Sequence, residues 1–309
     1  TGTPPHIPAA LRPLVRQGDR VGAGEGAGSG EGDEGGGGGE GGEGGEGGGA
    51  GGAVHAADYL GERDALRRRR SLTVVGSGQS AAEIYRDLLG GLEPGGYQLT
   101  WVTRSPRFFP LEYTKLTLEM TSPEYIDYFH ALPPADRDRL LDAQKGLYKG
   151  IDSELINEIY DLLYAKSLGG PINTRLLANT AVTAASHDPA AGGYRLRLRQ
   201  EEQGAESELL TEGLILATGY RAGLPAFLDP VRDRLRLDDR GRLDPRRDHS
   251  ADRAGRGEIL LQNAAPHAHG LATPDLGMGA YRNASLIRTM TGREPYPVEK
   301  RIAFQEFAL

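Results

Sequence analysis

Gly76-Ser77-Gly78-Gln79-Ser80-Ala81 is the stretch of this 309-residue sequence whose spacing points most directly to chemistry. It fits G-x-G-x-x-A, the pattern of a loop that cradles a dinucleotide pyrophosphate. Gly76 permits the tight turn, Gly78 lets phosphate approach the backbone, and Ala81 lets helix and strand pack closely. The N–H groups that open the following helix are donors for the phosphates. Gly76, Ser77, Gly78, Gln79 and Ser80 are therefore the candidate cofactor contacts; a glycine turn without function is the bland alternative. An NAD site ends its second strand on a carboxylate that holds the ribose 2′-hydroxyl. Here that strand ends Val102-Thr103-Arg104-Ser105. A guanidinium in place of the carboxylate suits a 2′-phosphate, so Arg104 favours NADPH. A solvated loop charge is the competing reading of Arg104.

Other reactive side chains say less. His267 and His269 form H-x-H, but no further ligand lies nearby, so no metal site is expected. There is no cysteine, which excludes a disulfide framework, a thiolate metal site and a redox dithiol.

The glycine loop needs a frame, and the flanking pattern supplies one. Ser71-Leu72-Thr73-Val74-Val75 reads as a short buried strand, 82–89 as a helix and 97–103 as a second strand, which together open a βαβ unit. Ser122-Pro123 reads as an N-cap with proline at the first helical position. Residues 123–166 are expected to be helical, broken at Pro133-Pro134 and restarted after Asp152. Tyr194, Leu196 and Leu198 alternate with Arg195, Arg197 and Arg199, the mark of a half-exposed antiparallel strand. Leu209-Leu210 and Leu214-Ile215-Leu216-Ala217 follow as strands, and Ile259-Leu260-Leu261 reads as another buried one. The last helix runs from about Gly279 to Met290. Ala280, Asn283, Ala284 and Ile287 share one face, Arg282 and Arg288 read as surface charges, and Gly292 is the C-cap.

Composition sets the limits. The net charge of -7 is local, because residues 22–53 hold six Glu, one Asp, twenty Gly and no Lys or Arg. Such a tract cannot bury enough apolar surface to offset its ordering entropy and is expected to be disordered. No basic stripe suggests nucleic acid. No apolar run spans a membrane and no signal segment opens the chain, so a cytoplasmic protein is expected. The sequence begins Thr1-Gly2-Thr3-Pro4-Pro5, without Met, and the natural start is expected upstream.

Taken together these motifs resemble the lysine/ornithine N-monooxygenases of siderophore biosynthesis. Thr1-Gly2-Thr3-Pro4-Pro5-His6-Ile7-Pro8 looks like the segment where the FAD domain hands over to the NADPH domain. Val75 to Glu83 is similar to the NADPH loop, and Leu216-Ala217-Thr218-Gly219-Tyr220 to the return signature. Gln262-Asn263-Ala264, His269-Gly270-Leu271 and Leu276 to Asn283 resemble the segment that returns to the flavin. The resemblance implies an α/β, two-dinucleotide-binding-domain flavoprotein monooxygenase fold with a helical insert and an incomplete FAD domain. Residues 1–21 would end the FAD segment and cross over. Residues 54–215 would be the NADPH domain, with the substrate-side insert at 123–166, and 216–309 the return to the FAD domain.

The implied reaction is N-hydroxylation of a terminal primary amine with FAD, NADPH and O₂. His269, Gly270 and Leu271 would lie on the FAD side. The stretch from Phe108 to Tyr125 looks most like enzymes acting on L-lysine or on a diamine such as cadaverine. The two positions where the ornithine type carries Asn are Leu118 and Leu147 here. A diamine brings a second, remote ammonium, for which Glu112 and Glu119 are the candidate carboxylates. Ordinary surface charge is the alternative for both. A homo-oligomer is left open. Two further readings stand beside this one: another class of flavin monooxygenase, and an inactive fragment that retains only NADPH binding.

Overall fold

The computed structural model describes residues 4–15, 52–221 and 223–308. The Gly/Glu tract lies outside them up to residue 51. Its last member, Ala53, is buried and donates its N–H to the Leu14 carbonyl at 3.1 Å.

A five-stranded parallel sheet forms the centre, in the order β1 (Val54–His55), β8 (Gly213–Leu216), β2 (Ser71–Val75), β3 (Gln98–Val102), β4 (Thr174–Leu177). The middle strands are runs of apolar and β-branched residues because both sheet faces are covered. On one face lie α1 (Tyr59–Arg67), α2 (Gln79–Gly90) and α6 (Ser153–Ser167). Leu72, Val74, Leu99 and Ile215 are fully buried there against Tyr85, Leu88 and Leu89. Each such side chain contributes roughly 1.5–3 kcal/mol. The other face is covered by residues 9–14 and by a three-stranded antiparallel sheet of β5 (Thr180–Asp188), β6 (Gly193–Gln200) and β7 (Glu206–Thr211). The alternation in β6 behaves as expected: Tyr194, Leu196 and Leu198 point inward, while Arg195 pairs with Asp188 and Glu208 outside.

A helical layer is built from α3 (Lys115–Leu118), α4 (Pro123–Ala131), α5 (Pro134–Ala143), α7 (Pro266–His269) and α8 (Gly279–Thr291). Ser122 caps α4 by accepting the Tyr125 N–H, with Pro123 at the first helical position. The stretch 123–166 divides by packing. Helices α4 and α5 lie against α7, whereas α6 lies against α2. Salt bridges from Arg242 to Asp138 and from Arg247 to Asp127 tie the 235–260 segment to α5 and α4.

Two expectations are corrected. Ile259-Leu260-Leu261 is not a buried strand; it is half-buried and joined to its neighbour by one bridge, between Ser250 and Leu260. On α8, Arg282 is not a surface charge but is buried with Ser285 and Leu286, while Ala280, Asn283, Ala284 and Ile287 line a groove on another side of the helix. Arg282 is 4% exposed because its guanidinium donates to the Ala272 and Asp275 carbonyls. Gly292 ends α8 in the left-handed conformation, as expected. No helix among the described residues is long and apolar enough to cross a membrane.

Candidate nucleotide site

The glycine loop sits at the carboxyl end of β2, between two neighbours that the chain reaches by different routes. From β2 the chain passes through α2 to β3 and then β4 on one side; β8, on the other side, arrives only after the antiparallel sheet. That reversal is the switch point at which open α/β sheets bind their ligands.

The loop's geometry separates its two glycines. Gly76 has φ +155°, donates its N–H to the Val102 carbonyl at 3.0 Å, and accepts from the Trp101 indole at 2.8 Å. A Cβ at Gly76 would stand 2.2 Å from the Ala217 carbonyl oxygen, so glycine here lets β2 and β8 close up. Gly78 is different. Its backbone (φ -103°, ψ -174°) suits any residue, and a Cβ there would meet nothing within 4 Å. It is the N-cap of α2, has no capping side chain, and is followed by a first turn free of acidic residues. The open backbone and the positive end of the helix macrodipole together make an anion site. Ser77 and Ser80 are exposed beside it, and Ala81 is fully buried under it.

Arg104 lies at the same edge. Val75 pairs with Val102, so the residues just past β3 stand beside the loop. Arg104 is exposed and forms no ion pair among the described residues. Gln79 is already engaged: its Oε1 accepts the Asp152 N–H at 2.8 Å and its Nε2 donates to Glu83 at 3.0 Å.

The segments at the crossover lie side by side. His6 donates to the Gly219 carbonyl at 2.8 Å, Thr218 Oγ1 donates to the His6 carbonyl at 2.5 Å, and Pro5 bridges Tyr220 antiparallel.

The remaining candidates are placed less uniformly. Glu112 is exposed and its carboxylate rests against Gly146, with no ion pair among the described residues. Glu119 is occupied. Its oxygens accept the N–H groups of Phe304 at 3.1 Å and Gln305 at 3.0 Å, and the Gln305 side chain at 3.0 Å. The Phe304 amide and then the Gln305 donors hold the Glu119 carboxyl below its ordinary range. Glu124 does the same for the Ile302 and Ala303 amides, so two carboxylates strap the C-terminal segment to α3 and α4. Replacing Glu119 by Gln should loosen this strap, so that trypsin cuts faster after Arg301; an unchanged rate of cutting would mean that Glu119 does not hold the segment.

His269, Gly270 and Leu271 are buried inside the helical layer. Gly270 has φ +63°, and a Cβ there would press on the Phe129 ring at 3.2 Å. His267 Nε2 meets the Leu243 carbonyl at 2.8 Å, and no cluster that could hold a metal occurs among the described residues. Two contributors carried no signal in the sequence: Trp101, which fixes the Gly76 carbonyl, and Asp152, whose amide fixes Gln79.

A glycine elbow at the switch point of a parallel sheet, opening an uncapped helix, is the arrangement shared by dinucleotide-binding folds. The family described as L-lysine 6-monooxygenase/L-ornithine 5-monooxygenase matches residues 48–222, and the chain belongs to it. A putrescine N-hydroxylase of Shewanella oneidensis is 51% identical over 255 residues, covering 82% of this chain and 50% of its own length. The Acinetobacter baumannii putrescine N-hydroxylase is 44% identical over 253 residues, covering 82% of this chain and 56% of itself. Among solved structures, the FAD-bound cadaverine monooxygenase of the desferrioxamine pathway from Erwinia amylovora superposes with a TM-score of 0.79 at 53% identity. That match covers 83% of this chain and 59% of the other. The chain thus spans a little over half the length of the relatives it matches.

Proposed function

We propose that this chain supplies the NADPH-binding part of a flavin-dependent N-hydroxylase, acting on the terminal amine of a diamine or of L-lysine in siderophore biosynthesis. The observation that carries the reading is the open N-terminus of α2. Gly78 leaves its backbone bare where neither conformation nor packing requires glycine. A ligand that must touch that backbone accounts for the choice.

In this reading the main-chain N–H groups of residues 77–80 receive the pyrophosphate, Gly76 shapes the turn with its own N–H held by Val102, and the Gln79 side chain orients the loop. Arg104 pairs with the 2′-phosphate, which separates NADPH from NADH. FAD enters through the relatives, one of which is solved with it bound. His269, Gly270 and Leu271, packed inside the helical layer, in this reading back the flavin side from below its surface. A flavin, when bound, supplies the hydride acceptance and the activation of O₂. The exposed Glu112 carboxylate, in the same reading, takes the ammonium at the far end of a diamine, and the relatives named for putrescine and cadaverine support that class over lysine. The reacting amine must be neutral, which at pH 7 costs on the order of 4–5 kcal/mol for a group of pKa about 10.4, so an apolar surrounding helps. The reading places this work in the cytoplasm.

Titration of the full chain with NADPH and NADH tests it. Wild type should bind NADPH the more tightly. Arg104→Ala should weaken NADPH by roughly 10–100-fold, the worth of one charge-assisted contact, and leave NADH unchanged. Equal loss for both nucleotides, or no NADPH binding at all, would refute it.

A further inference from the structure

We infer that the side chain of Gln79 is a positioning group that fastens the helical insert and the Glu112 segment to the nucleotide elbow, leaving contact with the nucleotide to the backbone of this residue. The inference rests on the reading of the elbow as a nucleotide site only in what it says about affinity; the fastening itself stands on geometry.

The Gln79 amide has both ends fixed. Its Nε2 donates to the Glu83 carboxylate at 3.0 Å, and its Oε1 accepts the Asp152 N–H at 2.8 Å. A carboxylate can only accept and a backbone N–H can only donate, so this is the one orientation of the amide that satisfies both partners. Each end thus already has one protein partner, and a single Nε2 N–H is left over.

The partner sits at a junction. Asp152 is the N-cap of α6, and its Oδ1 accepts the N–H groups of Glu154 and Leu155 at 2.9 and 3.1 Å. Ile151, one residue earlier, is fully buried and pairs with the segment that leads to Glu112. It donates to Phe109 at 2.9 Å and accepts from Leu111 at 2.9 Å. Glu112 then donates its own N–H to the Gly146 carbonyl at 2.9 Å. A second tie runs in parallel. Trp101, bonded to the Gly76 carbonyl, packs its ring against Phe108 at 4.4 Å between centroids. Residues 108–112 are thus held to the elbow at two points, one through each end of the glycine loop. Whatever fills the elbow is thereby set in register with the carboxylate proposed to receive the amine.

The test uses the full chain and two readouts. Hydrogen exchange reports the fastening. Energy transfer from Trp101, the single tryptophan of the chain, to bound NADPH reports occupancy of the elbow. In Gln79→Leu the amides of residues 108–112 and 150–156 should exchange about five- to tenfold faster, as expected on loss of one neutral hydrogen bond. The NADPH dissociation constant should move by less than about threefold, since tenfold would require some 1.4 kcal/mol of lost contact. The exchanged pair Gln79→Glu with Glu83→Gln keeps an acceptor for Asp152 and a donor–acceptor link along α2, and should restore the protection. A purely structural loss of helix stability would not be rescued in this way. Unchanged exchange in Gln79→Leu, or failure of the exchanged pair to restore protection, overturns the inference. So does a dissociation constant raised more than tenfold with exchange unaltered. Wild type that fails to bind NADPH would instead bring down the proposed function, while the exchange arm still decides the fastening.

Discussion

Gly76→Ala is expected to abolish NADPH binding and to lower the midpoint of thermal unfolding, whereas Gly78→Ala is expected to abolish binding alone. The added methyl at position 76 would meet the Ala217 carbonyl oxygen at 2.2 Å, and the backbone there holds φ +155°. Relieving the clash means parting β2 from β8, whose contact runs from Leu72 and Gly213 to Val75 and Leu216. Overpacking costs typically 1–3 kcal/mol, and a backbone angle that an L-residue resists adds of order 1–3 kcal/mol. A loss of about 2–6 kcal/mol is a large part of the stability of an ordinary domain. At Gly78 none of this applies: the conformation is open to any residue and the space is empty. The methyl would project only into the volume that phosphate must enter, so the melting temperature should hold while NADPH affinity falls tenfold or more. Calorimetry and nucleotide titration on the two variants check this. A Gly78→Ala protein that binds NADPH like wild type would remove the main support for the nucleotide site.

The contrast between these glycines shows what the sequence could carry. Spacing, a β-branched run before and a helical run after were enough to find the elbow, because each is a local property. The same holds for the alternation in β6, the proline-led start of α4 and the glycine at the end of α8. What the sequence could not carry is pairing at a distance. Glu119 reads as a free carboxylate, yet its partners Phe304 and Gln305 are 185 and 186 positions away. Arg282 reads as a surface charge because arginine is rarely buried. Only the folded chain brings the Ala272 and Asp275 carbonyls that satisfy it. Ile259-Leu260-Leu261 has the composition of a strand, but a single bridge gives it no ladder to join.

The same limit hid a stack of three histidines, and here the expected effect is again large. His130, His249 and His269 come from α4, from the 235–260 segment and from α7. Their rings lie 5.2 Å (His130–His269) and 4.2 Å (His249–His269) apart between centroids, nearly parallel. His249 and His269 are 4% and 3% exposed. Burial is the first reason that protonation is disfavoured; for His249 the Arg247 and Arg282 charges add to it, and for His269 its two stacked neighbours do. His249 is pushed down to about 4, His269 to about 2, and His130 is lowered as well. In the unfolded chain each would titrate near 6.5. Below that value the unfolded state binds protons that the folded state refuses, so stability must fall as pH drops through 6.5. The loss continues until the folded values are reached. Each fully suppressed histidine costs about 2 kcal/mol between pH 7 and pH 5. Carboxylates with lowered values, such as Glu119 and Asp138, lose their contribution only below about pH 4.5, so they leave the window from 6.5 to 5 to the histidines. Urea unfolding across that window should therefore show a steep decline, and His269→Phe should make it shallower by about 2 kcal/mol, with His249 and His130 carrying the rest. The substituted ring keeps an aromatic face for the stack without a proton to gain. A wild-type profile that stays level from pH 6.5 to 5 would mean that the three rings are not held neutral at the junction of α4, α7 and the 235–260 segment.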